Sequence, residues 1–289
     1  MKIALLAEEG AGARTLQMLA RGPHELSALL AAPGGAVWRL AQRLGVAPLP
    51  AARVRDPQLV KELAGIDVLL NVHSLYILPA ALLHVPRLGA FNLHPGPLPD
   101  YAGLNAPSWA LYHGERVHGV TLHRMEPGID TGAIVFQERF EVRADDTGLS
   151  LALRSVEKGL PLIERLLATL AEDPGALPAL PQDLSRRRYF GRRAPQDGRI
   201  AWNAAGRRID AFVRACDYHP YPSPWGAPRA PVGDGEVGVL KVALTGEPCE
   251  AAPGSVRMEA GRLLVACADE WLHLRKTIPL APASAPSAP

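Results

Sequence analysis

Ala90-Phe91-Asn92-Leu93-His94-Pro95-Gly96-Pro97-Leu98-Pro99 is an apolar strand that runs out into a loop stiffened by prolines. Side chains two apart on a strand face the same way, so Asn92 and His94 project together from its end. A carboxamide beside an imidazole can hold an oxyanion and manage a proton. Further along stands Gly128-Ile129-Asp130-Thr131-Gly132, a carboxylate on a glycine-flanked loop that can complete the set. No serine or cysteine adjoins the pair as a nucleophile. The pattern points to chemistry in which a bound substrate supplies the nucleophile.

The surrounding sequence sets this strand in a parallel sheet. Residues 2–7, 26–31 and 67–72 read as buried strands, and 10–21, 37–44 and 57–64 as helices between them. Gly45 stops the second helix, while Asp56 caps the third and Pro57 fills its first position. Strands alternating with helices at this spacing predict an α/β fold, a mostly parallel sheet with helices on both faces. Ligands of such sheets bind beyond the carboxyl ends of the strands, which is where Asn92 and His94 lie.

The pattern then changes. Residues 104–114 read as a helix, 119–124 and 133–140 as a hairpin-like insertion, and 147–170 as a long amphipathic helix. Residues 172–182 are rich in Pro, Ala and Asp and read as a linker. Beyond them a helix at 204–216, a proline-rich turn region at 218–231 and short strands at 237–243, 254–258, 262–266 and 271–276 predict a small barrel or sandwich. The expected division is 1–182, 186–279 and a low-complexity Pro/Ala tail at 280–289, read as disordered.

Composition narrows the function classes. The chain has 289 residues, 48% of them hydrophobic, with 31 basic against 29 acidic side chains. A dedicated nucleic-acid binder shows a denser basic footprint, and the only lysines before residue 150 are Lys2 and Lys61. Cys216, Cys249 and Cys267 fit neither a disulfide framework nor a zinc spacing. No His/Cys/Asp spacing makes a metal site. The first strand is too short for a signal peptide and meets Glu8-Glu9, and no apolar run reaches the length of a membrane span. The chain reads as soluble and cytoplasmic, with no membrane partner.

Weaker constellations have plainer readings. Glu9-Gly10-Ala11-Gly12-Ala13-Arg14 lacks the third glycine of a dinucleotide fingerprint, and no acidic residue ends the second strand. It reads as a tight strand-to-helix turn. His123 reads as an ordinary strand residue, and His113, His118 and His219 as turn or surface residues. Arg186-Arg187-Arg188 with Arg192-Arg193 is a basic cluster at the domain junction, a solvated hinge or a contact for phosphate. A carboxylate at Asp130 facing His94 favours the imidazolium and raises its pKa.

Phe91-Asn92-Leu93-His94-Pro95-Gly96-Pro97-Leu98-Pro99-Asp100-Tyr101-Ala102-Gly103 resembles the Asn-x-His signature of the folate-dependent formyltransferases. Gly119-Val120-Thr121-Leu122-His123-Arg124-Met125, continuing to Gly128-Ile129-Asp130-Thr131-Gly132, resembles that family's second block. Tyr189-Phe190-Gly191-Arg192-Arg193, with Ile200-Ala201-Trp202, resembles the start of the C-terminal domain that methionyl-tRNA and amino-sugar formyltransferases share. The resemblance implies a Rossmann-like domain, an OB-like C-terminal barrel, and 10-formyltetrahydrofolate as co-substrate. It implies Asn92, His94 and Asp130 as catalytic residues. It implies Leu75, Tyr76, Ile77 and Leu78, with Gly128 and Ile129, as the lining of the folate pocket.

The chain departs from the family in two places. Gly96-Pro97-Leu98-Pro99 stands where Ser-Leu-Leu-Pro is usual, and Tyr101-Ala102-Gly103 where Tyr-Arg-Gly is usual. The region after the second strand, 31–36, is short and uncharged, whereas the tRNA enzymes carry a basic loop there; phosphate contacts need Lys and Arg. The expected acceptor is therefore a primary amine or hydroxylamine of a small molecule, a nucleotide-linked amino sugar first and a natural-product amine second. Methionyl-tRNA formyltransferase, a 10-formyltetrahydrofolate hydrolase and a non-catalytic folate-binding module are the alternatives. A homodimer, or a fusion or carrier partner, stays open.

Overall fold

In the computed structural model residues 1–280 are described; the expected tail lies outside them from residue 281 on. The chain divides into two compact units. The first comprises Met1–Gly103, Val117–Phe140 and Leu153–Tyr189, and the second Leu104–Arg116, Glu141–Ala152 and the chain from Phe190 on.

The first unit opens with β1 (Lys2–Ala7), α1 (Glu9–Arg21), β2 (Glu25–Ala31), α2 (Ala36–Arg43), β3 (Leu49–Pro50), α3 (Pro57–Glu62), β4 (Val68–Val72), α4 (Ala80–Leu83) and β5 (Gly89–His94). Short β6 (Ala102–Gly103) follows, then β7 (Val117–Arg124), β8 (Ile134–Glu141) and, from Leu153 on, α6 (Gly148–Glu172). One sheet runs β3-β2-β1-β4-β5-β7-β8. Its first five strands pair in parallel, and β7 runs antiparallel to β5 with Asn92 opposite His123. The hairpin predicted as an insertion instead extends the sheet at one end. The predicted linker is a correction too, because Leu180 bridges to Ile134 on β8.

Alternation along the strands sorts the sheet into two faces. Ile3, Leu5, Val68, Leu70, Val72, Phe91, Leu93, Val120 and Leu122 pack with α1, α2 and α6 on one side. Ala4, Leu6, Leu69 and Ala90 pack with Leu59 of α3 and Leu82 of α4 on the other. Each buried Leu, Val or Phe contributes about 1.5–3 kcal/mol. Gly159 fixes how closely α6 approaches β5: a Cβ there would stand 2.8 Å from Leu93 Cδ2. Asp56 caps α3 by accepting from the Gln58 amide, as the sequence predicts.

The second unit holds α5 (Ala106–His113), α7 (Gly206–Ala215), and the strands β10 (Arg229–Val232), β11 (Gly235–Pro248), β12 (Val256–Glu259), β13 (Arg262–Ala266) and β14 (Glu270–Pro279). β9 (Tyr189–Phe190) is a two-residue strand at the boundary. The sheet is antiparallel in the order β10-β11-β14-β13-β12. Register shifts along β11 curl it into a half-barrel around Trp202, Phe212, Val239, Val265 and Leu272. β10 begins inside the stretch predicted as turns. Cys216 and Cys267 are buried free thiols, and burial pushes Cys216 up to about 12. Among the described residues no helix is long and apolar enough to cross a membrane.

Candidate active site

The polar cluster occupies the carboxyl end of the second sheet face, where the apolar packing stops. Asn71, Asn92, His94, Thr121 and His123 hold the strand positions that alternate with the buried apolar set. Asn92 and His94 leave β5 on the same side, as their spacing predicts. The loop after them is pinned to β7 and β8. Thr121 Oγ1 donates to the Gly96 carbonyl at 2.7 Å and accepts from the Leu98 amide at 3.1 Å. Gln137 Nε2 donates to Leu98 O at 3.0 Å.

Asp130 reaches the same point from the β7–β8 loop. Its Oδ2 accepts from the Gly103 amide at 2.8 Å and lies 3.5 Å from His94 Nδ1. Its Oδ1 lies 3.5 Å from His123 Nε2 and 3.4 Å from Asn92 Nδ2. The loop turns back so tightly that a Cβ at Gly132 would collide with the Arg124 carbonyl. The structure thus brings Asn92, His94 and Asp130 together and adds His123, which by sequence reads as an ordinary strand residue. Only the β5–β7 register, which no local pattern reveals, sets His123 opposite Asn92. His118, predicted on a turn or surface, is fully buried on β7, where its Nε2 meets the Pro95 carbonyl at 3.0 Å.

Hydrogen bonding fixes the proton positions. His123 Nδ1 donates to the Arg124 carbonyl at 2.7 Å, so its Nε2 accepts from Asn92 Nδ2 at 3.0 Å. His94 Nε2 donates to the Tyr101 carbonyl at 2.5 Å, which turns Nδ1 toward Asp130. Burial lowers the His94 pKa; the Asp130 charge and the Tyr101 carbonyl oppose this, and His123 and His73 reinforce it. The sequence reading expects the carboxylate to win and raise it. With His94 only 3% exposed, desolvation wins instead. Burial also works to raise Asp130, but its partners His94, His123 and the Gly103 amide hold it below the usual carboxylate range. The Gly103 amide, donating to Oδ2 at 2.8 Å, favours the ionised Asp130, while burial disfavours charge on His94.

The predicted folate-pocket residues divide. Leu75 and Ile77 are 67% and 74% exposed, while Tyr76 and Leu78 pack onto the second sheet face beside Met125. Gly128 and Ile129 lie on the Asp130 loop, with Ile129 exposed. An exposed apolar strip just past the end of β4 can take a flat ring, and this arrangement fits a pterin.

Comparison with known proteins gives the family and the fold. Residues 25–165 match the family described as Formyl transferase, and 193–282 match Formyl transferase, C-terminal domain. Among solved structures, the N-formyltransferase from Helicobacter canadensis, in complex with folinic acid and dTDP-3-aminofucose, superposes with a TM-score of 0.72 at 16% identity. That match covers 95% of this chain and 98% of the other. WlaRD, a sugar 3N-formyl transferase solved with dTDP and 5-N-formyl-THF, gives 0.71 at 17% identity over 96% and 98%. A variant of HypX from Aquifex aeolicus gives 0.65 at 19%, over 96% of this chain but 47% of HypX. At these identities the likeness to solved structures is one of fold.

Proposed function

Because the chain belongs to the formyl transferase family and is an enzyme of formyl transfer, we propose that it carries the formyl group of 10-formyltetrahydrofolate to a primary amine or hydroxylamine of a small molecule. A nucleotide-linked amino sugar is the first acceptor and a natural-product amine the second. The observation that carries the reading is the convergence of Asn92, His94 and Asp130 at one sheet end. Two sugar formyltransferases that share nearly the whole length of the fold support the amino sugar. The short uncharged stretch at 31–36 counts against tRNA.

When bound, 10-formyltetrahydrofolate supplies the formyl carbon and leaves through the nitrogen that carried it. Asn92 donates to the formyl oxygen as negative charge grows there. One amide hydrogen stays on His123; the other, only weakly engaged with Asp130 at 3.4 Å, is the one left for the oxygen. A donor of this kind lowers the barrier by about 3–4 kcal/mol. His94 starts neutral and takes the proton that the attacking amine must lose, at Nδ1. Asp130 stabilises the imidazolium only once that proton has arrived. His94 then returns the proton to the departing nitrogen, so the new C–N bond forms as the old one breaks and the proton is conserved. Leu75, Tyr76, Ile77 and Leu78, with Gly128 and Ile129, hold the pterin. All these side chains lie within 1–182, which we take as the catalytic domain, with 186–279 as the C-terminal domain.

The test is to incubate the full chain with 10-formyltetrahydrofolate and a panel containing a dTDP-linked amino sugar, an amino acid and hydroxylamine, following tetrahydrofolate and formate separately. Tetrahydrofolate released in step with a formylated amine supports the reading. Formate released at the same rate without amine replaces it with a hydrolase, and folate binding without turnover replaces it with a silent module.

A further inference from the structure

Segment 180–188 lies across the loops that build the site. Leu180 exchanges backbone hydrogen bonds with Ile134 at 2.8 and 2.9 Å. Gln182 Nε2 donates to two loop carbonyls at once, Asp130 at 2.9 Å and Gly132 at 2.6 Å. Arg187 Nη2 donates to the carbonyl of the preceding loop residue, Ile129, at 2.9 Å. Arg188 bonds through its backbone to Pro99 at 3.3 Å and to Ala102 at 3.0 Å.

Asp130 has a left-handed backbone, φ 56°. For a residue with a Cβ this conformation costs about 1–2 kcal/mol and must be held. Its carboxylate reaches Gly103 N and His94 only while the peptide planes keep this orientation. Two carbonyls converging on one amide nitrogen fix which end of the Gln182 side chain faces the loop. Gln182 Oε1 is buried without a partner among the described residues, so donation is what the side chain contributes.

Resting on the proposed role of Asp130, we propose that Gln182 is a positioning residue: by clamping the Asp130 and Gly132 carbonyls it holds the left-handed turn and aims the carboxylate at His94. Arg187 is the second clamp, one carbonyl away. Neither residue touches the reacting atoms. The groups facing His94 are Asp130 from the loop, His123 from β7, His73 past the end of β4 and the Tyr101 carbonyl. Of these, Gln182 governs only Asp130. Losing it withdraws one of the two influences that raise the His94 pKa and leaves the Tyr101 carbonyl alone against those that lower it.

The experiment compares the full chain with Gln182→Met, Gln182→Glu, Asp130→Asn and the double variant Gln182→Met/Asp130→Asn. Activity is read with 10-formyltetrahydrofolate and the amine that turns over fastest in the panel above, and the His94 ring titration is followed by NMR. Gln182→Met should lower kcat about 10- to 100-fold, the scale of a misplacement of about 1 Å, with the donor KM within about twofold. Its His94 titration should move to lower pH, which a general loss of packing would not produce. Gln182→Glu keeps the length but cannot donate, and should lower kcat alike. The double variant should fall no further than Asp130→Asn, because coupled sites are not additive. A normal kcat and His94 titration in Gln182→Met, beside an impaired Asp130→Asn, overturns the inference alone. An unimpaired Asp130→Asn overturns the reading of the site and the inference with it.

Discussion

The two faces of the seven-stranded sheet are built from the same strands and do opposite work. On one, Phe91 and Leu93 are sealed under α6. On the other, Asn92 and His94 come from the same strand one residue out of step, and at that end the apolar packing gives way to amide, imidazole and carboxylate. Packing and the proposed chemistry are separated by the side-chain period of two. The polar face costs stability through desolvation, and the apolar face beneath it holds the strand that carries it.

That contrast can be broken by substitution. The largest effect belongs to His94→Ala, which should lower kcat about 10²–10⁴-fold while thermal unfolding stays close to the parent. A comparable loss of stability with little loss of turnover would dissolve the contrast. Leu93→Ala is the mirror image. It should destabilise by about 2–5 kcal/mol in denaturant unfolding yet leave kcat per folded molecule near normal.

A sharper probe uses pH. In the proposed mechanism His94 acts as the neutral imidazole, and burial lowers its pKa. Activity should therefore persist as the pH falls past the ordinary imidazole value and fade only as it passes the lower folded one. Asp130→Asn removes the opposing charge, so the acid limb of the kcat profile should move to still lower pH as the plateau falls. A limb at or above the ordinary value would restore the charged imidazole that sequence alone suggests. Stability follows the same sign: as pH falls through the ordinary imidazole range, the unfolded chain binds a proton that the folded one resists, and folding weakens. Substituting His94 by Gln should flatten that part of the stability curve.

The smallest effect lies at the rim. Leu75→Ala should raise the folate KM up to about tenfold, since covering one leucine is worth about 1.5 kcal/mol or somewhat more, with kcat unchanged. An unchanged KM in Leu75→Ala and Ile77→Ala would remove the exposed strip from the folate site.

Much of this fold is legible along the chain because its signals are local. The alternating strands and helices of the first unit, the capping of α3 by Asp56, and the short strands of the second can be read in order. So can Asn92 and His94 at a strand end and Asp130 between glycines. The failures share one cause. His123 reads correctly as a strand residue but not as part of the polar cluster, 172–182 reads as a linker and the β7–β8 pair as an insertion, because each takes its meaning from a partner distant in sequence. Gln182 carries no motif and gains significance only where it meets the Asp130 loop.

The order of residues settled the strand period, the side chains available at the end of β5 and the glycine-flanked carboxylate, because these depend on neighbours a few positions away. Tertiary packing decided which strand lies beside β5, what spans the Asp130 loop, and whether an imidazole wedged between a carboxylate and a carbonyl keeps its charge. That last outcome is a balance of desolvation against Coulomb attraction, and neither quantity exists until the chain has folded around the ring.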